Sequence, residues 1–207
     1  MKIIVTGTRG IPGIQGGVET HCEELFPRIA DEKHEVIVIR RPEYKSVEYG
    51  VSKYKGVTIK DIKTLPGKHF EAITHTFIAV LYARKIHADI VHIHAIGPSL
   101  MIPIVRILGM KAVMTHHGPD YDRQKWGKLS KSVLKIGEKL GVKYANHVIV
   151  ISQHIRNIVQ RKCPTQKKIS LIYNGVNLTC SPKRCADCGF VYYFNSSAAT
   201  VAFILND

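Results

Sequence analysis

From its second residue the chain alternates short β-branched runs with longer stretches in which apolar residues recur every three or four positions. KIIVT at 2–6 predicts a first strand; a glycine-rich loop follows, and then a helix over about 17–30. EVIVIR at 35–40 predicts a second strand. Residues 57–62 predict a third, after a polar connection rich in Tyr and Lys. Ile73, Phe77, Val80, Leu81 and Arg84 follow one another at three- and four-residue steps, so 70–87 reads as helix. DIVHIH at 89–94, KAVMT at 111–115, HVIVIS at 147–152 and residues 169–173 read as further strands. Helices are expected over 99–108, 128–145 and 154–162, with a loop at 118–127. Strands that are apolar throughout and separated by helices belong to a parallel sheet covered on both faces. The expected fold class is α/β: a Rossmann-like, doubly wound, mostly parallel sheet in a single domain, residues 1–177.

The periodicity stops after Asn177. Residues 178–207 hold three of the five cysteines and show neither helical nor strand spacing, so they are expected to form a tail and not a domain. Cys180-x4-Cys185-x2-Cys188 lacks an evident fourth ligand and matches no standard finger, which argues against zinc. Asn195-Ser196-Ser197 interrupts the apolar stretch 190–205, and no other stretch approaches the roughly 18 apolar residues of a membrane span. The apolar run at 1–8 is shorter than the roughly 7–15 residues of a secretory h-region. With no disulfide framework in the cysteine spacing, a cytoplasmic setting is expected.

Charge sharpens the picture more than composition does. The 207 residues are 45% apolar and 22% charged, ordinary for one globular domain, but the formal net charge is +14. The charges beyond Thr179 (Lys183, Arg184, Asp187, Asp207) cancel, so the excess belongs to the body of the chain. Such a field favours anionic partners: sugar nucleotides, diphosphate lipids, acidic membrane surfaces or nucleic acid. Lys131, Lys135, Lys139 and Lys143 recur at four-residue steps and share about a third of one helix circumference.

The glycine loop admits two readings. Gly7, Gly10 and Gly13 spell the GxxGxxG of a short-chain dehydrogenase or sugar-nucleotide epimerase, with Tyr49-x-x-x-Lys53 as an apparent catalytic pair. That pair stands directly after the second strand rather than on a helix beyond the fourth, and Pro12 and Gln15-Gly16-Gly17 delay the helix start. The other reading puts Gly16-Gly17 at the helix N-terminus, where backbone N–H groups meet anions. GTRGIPGIQGGVET near the start, DIVHIHAIGPS at 89–99, THHG at 115–118, HVIVIS before Gln153 and IYNGVN at 172–177 then fall into one pattern. In these motifs the chain resembles the retaining glycosyltransferases of the GT-B fold, family 4, and more closely the N-terminal domain of bacterial rhamnosyltransferase-like enzymes of polysaccharide assembly. The resemblance covers about residues 1–177.

The resemblance implies that Gly16 and Gly17 face the donor diphosphate and that His94 is the catalytic histidine at a strand end, near the acceptor hydroxyl. His92, two residues deeper on the same face, is expected in the core. His117 and Glu19 are expected at the acceptor side of the cleft, Glu19 with the alternative of capping the loop. No metal site is expected. The donor would be a nucleotide sugar with no tightly bound cofactor, and the acceptor a glycan or a lipid-linked glycan, with no nucleic acid partner. The lysine row would touch an anionic membrane at the inner face of the cell membrane. The family's second half, which grips the donor through Arg, Lys and an E-x7-E motif, has no counterpart after Asn177; Glu24/Glu32 and Glu35/Glu43 have that spacing but lie in the wrong half. The chain is therefore expected to be truncated, its tail a frameshifted or otherwise altered remnant, with little transferase activity alone. A non-catalytic module for anionic lipid is the further alternative.

Overall fold

The computed structural model describes residues 1–31, 33–44, 52–64, 71–122, 124 and 126–174, together with the backbone of 183–184 and 191–192. One eight-stranded sheet organises it. The strands are β1 (Lys2–Thr6), β2 (Glu35–Arg40), β3 (Lys53–Tyr54), β4 (Val57–Asp61), β5 (Ile90–His94), β6 (Lys111–His116), β7 (His147–Val150) and β8 (Ile169–Leu171), in the order β3-β4-β2-β1-β5-β6-β7-β8. All neighbours are parallel except β3, which returns antiparallel onto β4. The helices are α1 (Gly17–Ile29), α2 (Glu71–Lys85), α3 (Ile102–Ile107), α4 (Lys128–Tyr144) and α5 (Gln153–Lys162).

Alternation along the strands divides the core in two. Ile4, Ile37, Ile39, Val91, Ile93 and Met114 face one side and pack against Val80 of α2, Ile102 of α3, Val142 of α4 and Ile155 of α5. Ile3, Val5, Val36, Val38, Val113 and Ile149 face the other side and meet Cys22, Leu25, Phe26 and Ile29 of α1. Those four α1 residues stand at i, i+3, i+4 and i+7, one stripe of a helix. Each such aliphatic or aromatic side chain contributes roughly 1.5–3 kcal/mol by leaving water. Ser152 caps α5, its hydroxyl accepting from the Ile155 N–H at 3.2 Å.

Three elements differ from the sequence reading. Residues 99–108 are not one helix: a 3-10 turn at Pro98–Met101 precedes α3. Pro103 has no N–H to offer the Ser99 carbonyl, and Ile102 N–H takes that carbonyl in a three-residue bond instead. β3 forms because Lys55 and Gly56, both at positive φ, turn the chain back onto β4. In the tail, β9 (Lys183–Arg184) and β10 (Val191–Tyr192) pair antiparallel. The tail cysteines, Glu32 and Tyr49 lie outside the described residues.

Candidate functional site

The site forms where β1, β5 and β6 end. Between β1 and α1 the loop is laced to the helix it leads into. The Arg9 backbone N–H and Nε each donate to Glu19 Oε1 at 3.1 Å, and Arg9 Nη2 donates to Glu19 Oε2 at 3.1 Å and to the Gln15 carbonyl. Gly13 N–H donates to Glu23 Oε2 at 2.9 Å. A Cβ on Gly16, at φ +156, would lie 2.1 Å from Glu19 Oε2 and 2.3 Å from Arg9 Nη2 and would push this clasp apart; at Gly17 the same direction is open space. Glu19 is 6% exposed and wholly taken up by this clasp. Of its two expected roles, loop capping is the one these bonds describe.

One turn beyond Gly17, His21 reaches under the helix entrance into a group of imidazoles. Its ring meets His94 edge-on at 5.7 Å and His117 at 5.3 Å. His94 stacks on His92 at 4.3 Å, and Phe26 closes the group edge-on to both. His94 Nδ1 and His117 Nε2 share a hydrogen bond of 2.9 Å, and His92 Nε2 bonds Thr115 Oγ1 at 2.7 Å. Asn174 hydrogen-bonds His21. Sequence motifs separated by up to 150 residues thus converge: the first turn of α1, the DIVHIH strand, THHG and the start of IYNGVN. His21 and Asn174 were missed by sequence reasoning. The available signal for His21 was a polar residue beside Cys22 on the buried stripe of α1.

His94 stands at the end of β5, inside this group. It has no exposed surface, and Gly7 presses on it: at φ +88, a Cβ there would sit 2.2 Å from the His94 carbonyl oxygen. His21, Phe26 and His117 pack around the His94 ring. His92 is buried as expected, and His117 is the partly exposed imidazole of the pair it forms with His94. Burial pushes all of them down: His21 to about 4 against the Asn174 hydrogen bond, and His92 to about 3 with His21 adding repulsion. His94 and His117 fall well below the ordinary histidine value, again through burial first and the neighbouring imidazoles second.

The adjacent hollow has different walls. A cavity of about 580 Å³ opens beside Gly7 and Arg9, lined mainly by apolar side chains (Ile73, Pro98, Trp126, Val133, Leu134) with Arg41 and Lys128 at its edges. Gly16, Gly17 and His94 do not line it. Arg41 is 7% exposed, and its Nη1 donates to Glu71 Oε1 at 3.0 Å.

On the opposite face, His116 Nε2 bonds Glu138 Oε1 at 2.9 Å, while Lys162 Nζ donates to Glu138 Oε2 at 2.5 Å and to the Tyr121 hydroxyl at 2.6 Å. A carboxylate therefore does stand beside the paired histidines of THHG, brought there by α4. Burial alone would raise the Glu138 carboxyl, but the hydrogen bonds and charges of His116 and Lys162 outweigh it and hold the group below its ordinary value. Among the described residues no group of three or more His, Cys, Asp or Glu side chains is arranged to hold a metal ion.

The lysine row of α4 is not uniform. Lys135 and Lys139 line a hollow between α4 and α5 with Arg161 and Lys162, Lys143 leans over Tyr144, and Lys131 is half-buried. Leu129, Ile136 and, on α3, Ile107 are exposed apolar residues of these two helices. No described helix is long and apolar enough to cross a membrane.

Comparison with solved structures places the sheet among GT-B folds. Sucrose-phosphate synthase from Thermosynechococcus elongatus superposes with a TM-score of 0.67 at 18% identity, over 86% of this chain and 49% of that one. Anabaena HepE in complex with UDP gives 0.58 at 16% identity, over 86% and 45%. UDP-GlcNAc 2-epimerase from Methanocaldococcus jannaschii gives 0.53 at 14%, over 83% and 45%. The chain spans about half the length of these proteins, and the likeness is one of fold. No curated protein sequence gives a significant match. The family model for Glycosyltransferase Family 4 matches residues 15–179, most of the chain and all four of the converging motifs from Gly16 onward, so the protein belongs to glycosyltransferase family 4.

Proposed function

We propose that this chain is the acceptor-side half of a hexosyltransferase that moves a sugar from a nucleotide-sugar donor to a glycan or lipid-linked acceptor in polysaccharide assembly. The observation that carries the reading is the α1 entrance: a 13-residue helix whose first turn is open at Gly17, with its approach loop fixed by Arg9 and Glu19 beside a cavity at the strand ends. A helix N-terminus offers unpaired N–H groups and the positive end of the macrodipole, which suits a diphosphate. The donor's diphosphate would lie at Gly16 and Gly17, and the acceptor would enter along the apolar wall of the cavity. No tightly bound cofactor is needed for this chemistry.

Sugar transfer with a diphosphate leaving group needs several positive charges on the departing oxygens. One helix end supplies part of that stabilisation, and each missing donor costs about 10²–10³ in rate. We therefore expect purified chain, given radiolabelled nucleotide sugars and a lipid-linked acceptor, to turn over at least about 10³ times slower than a two-domain relative. Turnover near that of the relative would refute the half-site reading.

The site of action we propose is the inner face of the cell membrane. Support comes from Lys135, Lys139 and Lys143 next to exposed Leu129 and Ile136 on α4. With each lysine adding about 1 kcal/mol near an anionic leaflet, replacing all three by Gln should weaken vesicle binding by at least about tenfold. Flotation with anionic and neutral vesicles measures this, and equal binding by the triple variant would remove the membrane proposal.

A further inference from the structure

Two consecutive arginines at the end of β2 are both buried but differently used. Arg40 holds Asp61 with two arms of its guanidinium, Nε to Oδ1 at 2.6 Å and Nη2 to Oδ2 at 3.1 Å. Arg41 is tied by its backbone N–H to the Arg9 carbonyl at 3.0 Å and gives Nη1 to Glu71, but its Nε is buried with no partner. This side chain is 8% exposed and lines the 580 Å³ cavity. Leaving a buried donor unmade is costly, most of all on a charged group. A purely structural arginine would resemble Arg40.

A second set of open donors lies on the same cavity wall. α4 starts at Lys128 after Gly127, and no side chain caps it. Gly127, Lys128, Leu129 and Ser130 all line the cavity, and a Cβ on Gly127 would meet nothing within 4 Å. First-turn N–H groups have no partner within a helix, and over 17 residues the peptide dipoles add to a positive end. Lys128 is exposed at this entrance and forms no ion pair among the described residues. Arg9 and Arg41 are already balanced by Glu19 and Glu71, and Asp120 is the one carboxylate among the described lining residues. What remains unspent on an anion is Lys128, the helix entrance and the Arg41 Nε–H.

We propose that Arg41 and the N-terminus of α4 together bind a phosphate group of the acceptor, with the apolar chain attached to it lying along Ile73, Pro98, Val133 and Leu134. The proposal rests on the transferase reading and narrows it: the acceptor is a phosphorylated amphiphile, and its phosphate takes a helix entrance other than the α1 entrance assigned to the donor. A guanidinium and a helix's first turn offer several N–H groups to one ligand, which an ionised phosphate can accept from several directions and a sugar hydroxyl cannot. The apolar wall selects for what the phosphate carries. Free phosphate would gain the donors but leave that wall wet, so it should bind more weakly.

Trp126 is the single tryptophan and lines the cavity, so its fluorescence reports occupancy. Titrating the full chain with geranyl phosphate, geraniol and inorganic phosphate separates the contributions of chain and phosphate. Geranyl phosphate should bind at least about tenfold more tightly than geraniol, the worth of one hydrogen bond to a charged group, and more tightly than inorganic phosphate. Arg41→Lys keeps the charge but not the Nε–H; it should weaken geranyl phosphate by at least about tenfold and leave geraniol unchanged. Lys128→Gln, at an exposed position, should weaken geranyl phosphate about two- to fivefold and also spare geraniol. Equal binding of geraniol and geranyl phosphate overturns the proposal and leaves sugar transfer to an uncharged acceptor standing. An unchanged preference for the phosphate in both variants overturns it too, as does tighter binding of inorganic phosphate than of geranyl phosphate. If Arg41→Lys does not fold, the native ratio and Lys128→Gln decide alone. If no probe moves Trp126 the proposal falls, and an unphosphorylated oligosaccharide is then added. A response to that sugar keeps the transferase reading; silence removes the acceptor role of the cavity as well.

Discussion

His116 and His117 are neighbours in sequence, yet they terminate two opposite kinds of interior. His117 turns to the α1 face, where four imidazoles and Phe26 pack together with no carboxylate among them. His116 turns to the α4–α5 face, where Glu138 sits between an imidazole, a phenol and an ammonium group. Both centres are buried polar clusters at the same end of the sheet. One stays uncharged because desolvation outweighs the single hydrogen bond that opposes it at His21; the other keeps a charge because its partners outweigh desolvation. The lesson is that burial alone does not set a group's state. The presence of a counter-charge decides it.

Acid should separate the two faces most strongly. The unfolded chain takes up protons on histidine near pH 6.5, whereas folded His21 resists to about 4 and His92 to about 3. The stability these depressed values confer is full above about pH 6.5 and is lost as pH falls toward them, at about 1.4 kcal/mol per pH unit for each proton. Glu138, also depressed, loses nothing over that range, because its contribution declines only below the ordinary carboxylate range. Urea denaturation followed by circular dichroism should therefore show several kcal/mol less stability at pH 5 than at pH 7.5. Equal stabilities at the two values would mean that the α1 face holds a compensating charge after all.

A smaller effect tests the other side. Glu138→Ala leaves His116 in the core without its acceptor and Lys162 without its anion. Removing one member of a buried pair costs about 3–5 kcal/mol, and the lower end is expected because Lys162 can turn to solvent. A loss under about 1 kcal/mol at pH 7.5 would show that the charged cluster does not hold α4 to β6. The smallest effect is expected for His92→Leu. An apolar residue replaces a ring with one unpartnered nitrogen, so stability at pH 7.5 should stay within about 1 kcal/mol. Its acid slope should fall by about one proton, and an unchanged slope would place the titrating groups elsewhere.

Much of the sheet was legible because apolar runs such as KIIVT and KAVMT have no other place to go than a covered parallel sheet. Gly16-Gly17 as the start of α1 was legible for a similar reason: glycines and a following Val-Glu-Thr mark where a helix can begin. The split of residues 98–107 was not read, although Pro103 carried the signal, since a missing N–H four residues after Ser99 breaks the ladder. The burial of His94 was not legible for a different reason. Sequence places it at a strand end, but exposure there depends on what α1 and Gly7 lay over it, and those contacts come from segments far away along the chain. Glu138 was invisible for the same reason: it is the only carboxylate on α4, read from sequence as one polar residue among lysines.

The clasp between Arg9 and Glu19 has a kinetic consequence. Its bonds join the loop to the helix within the protein itself, so the ten residues that lead from β1 to the helix need not be ordered when an anion arrives. Capture should then carry little conformational entropy cost, and its rate should follow ionic strength and diffusion more than any internal rearrangement.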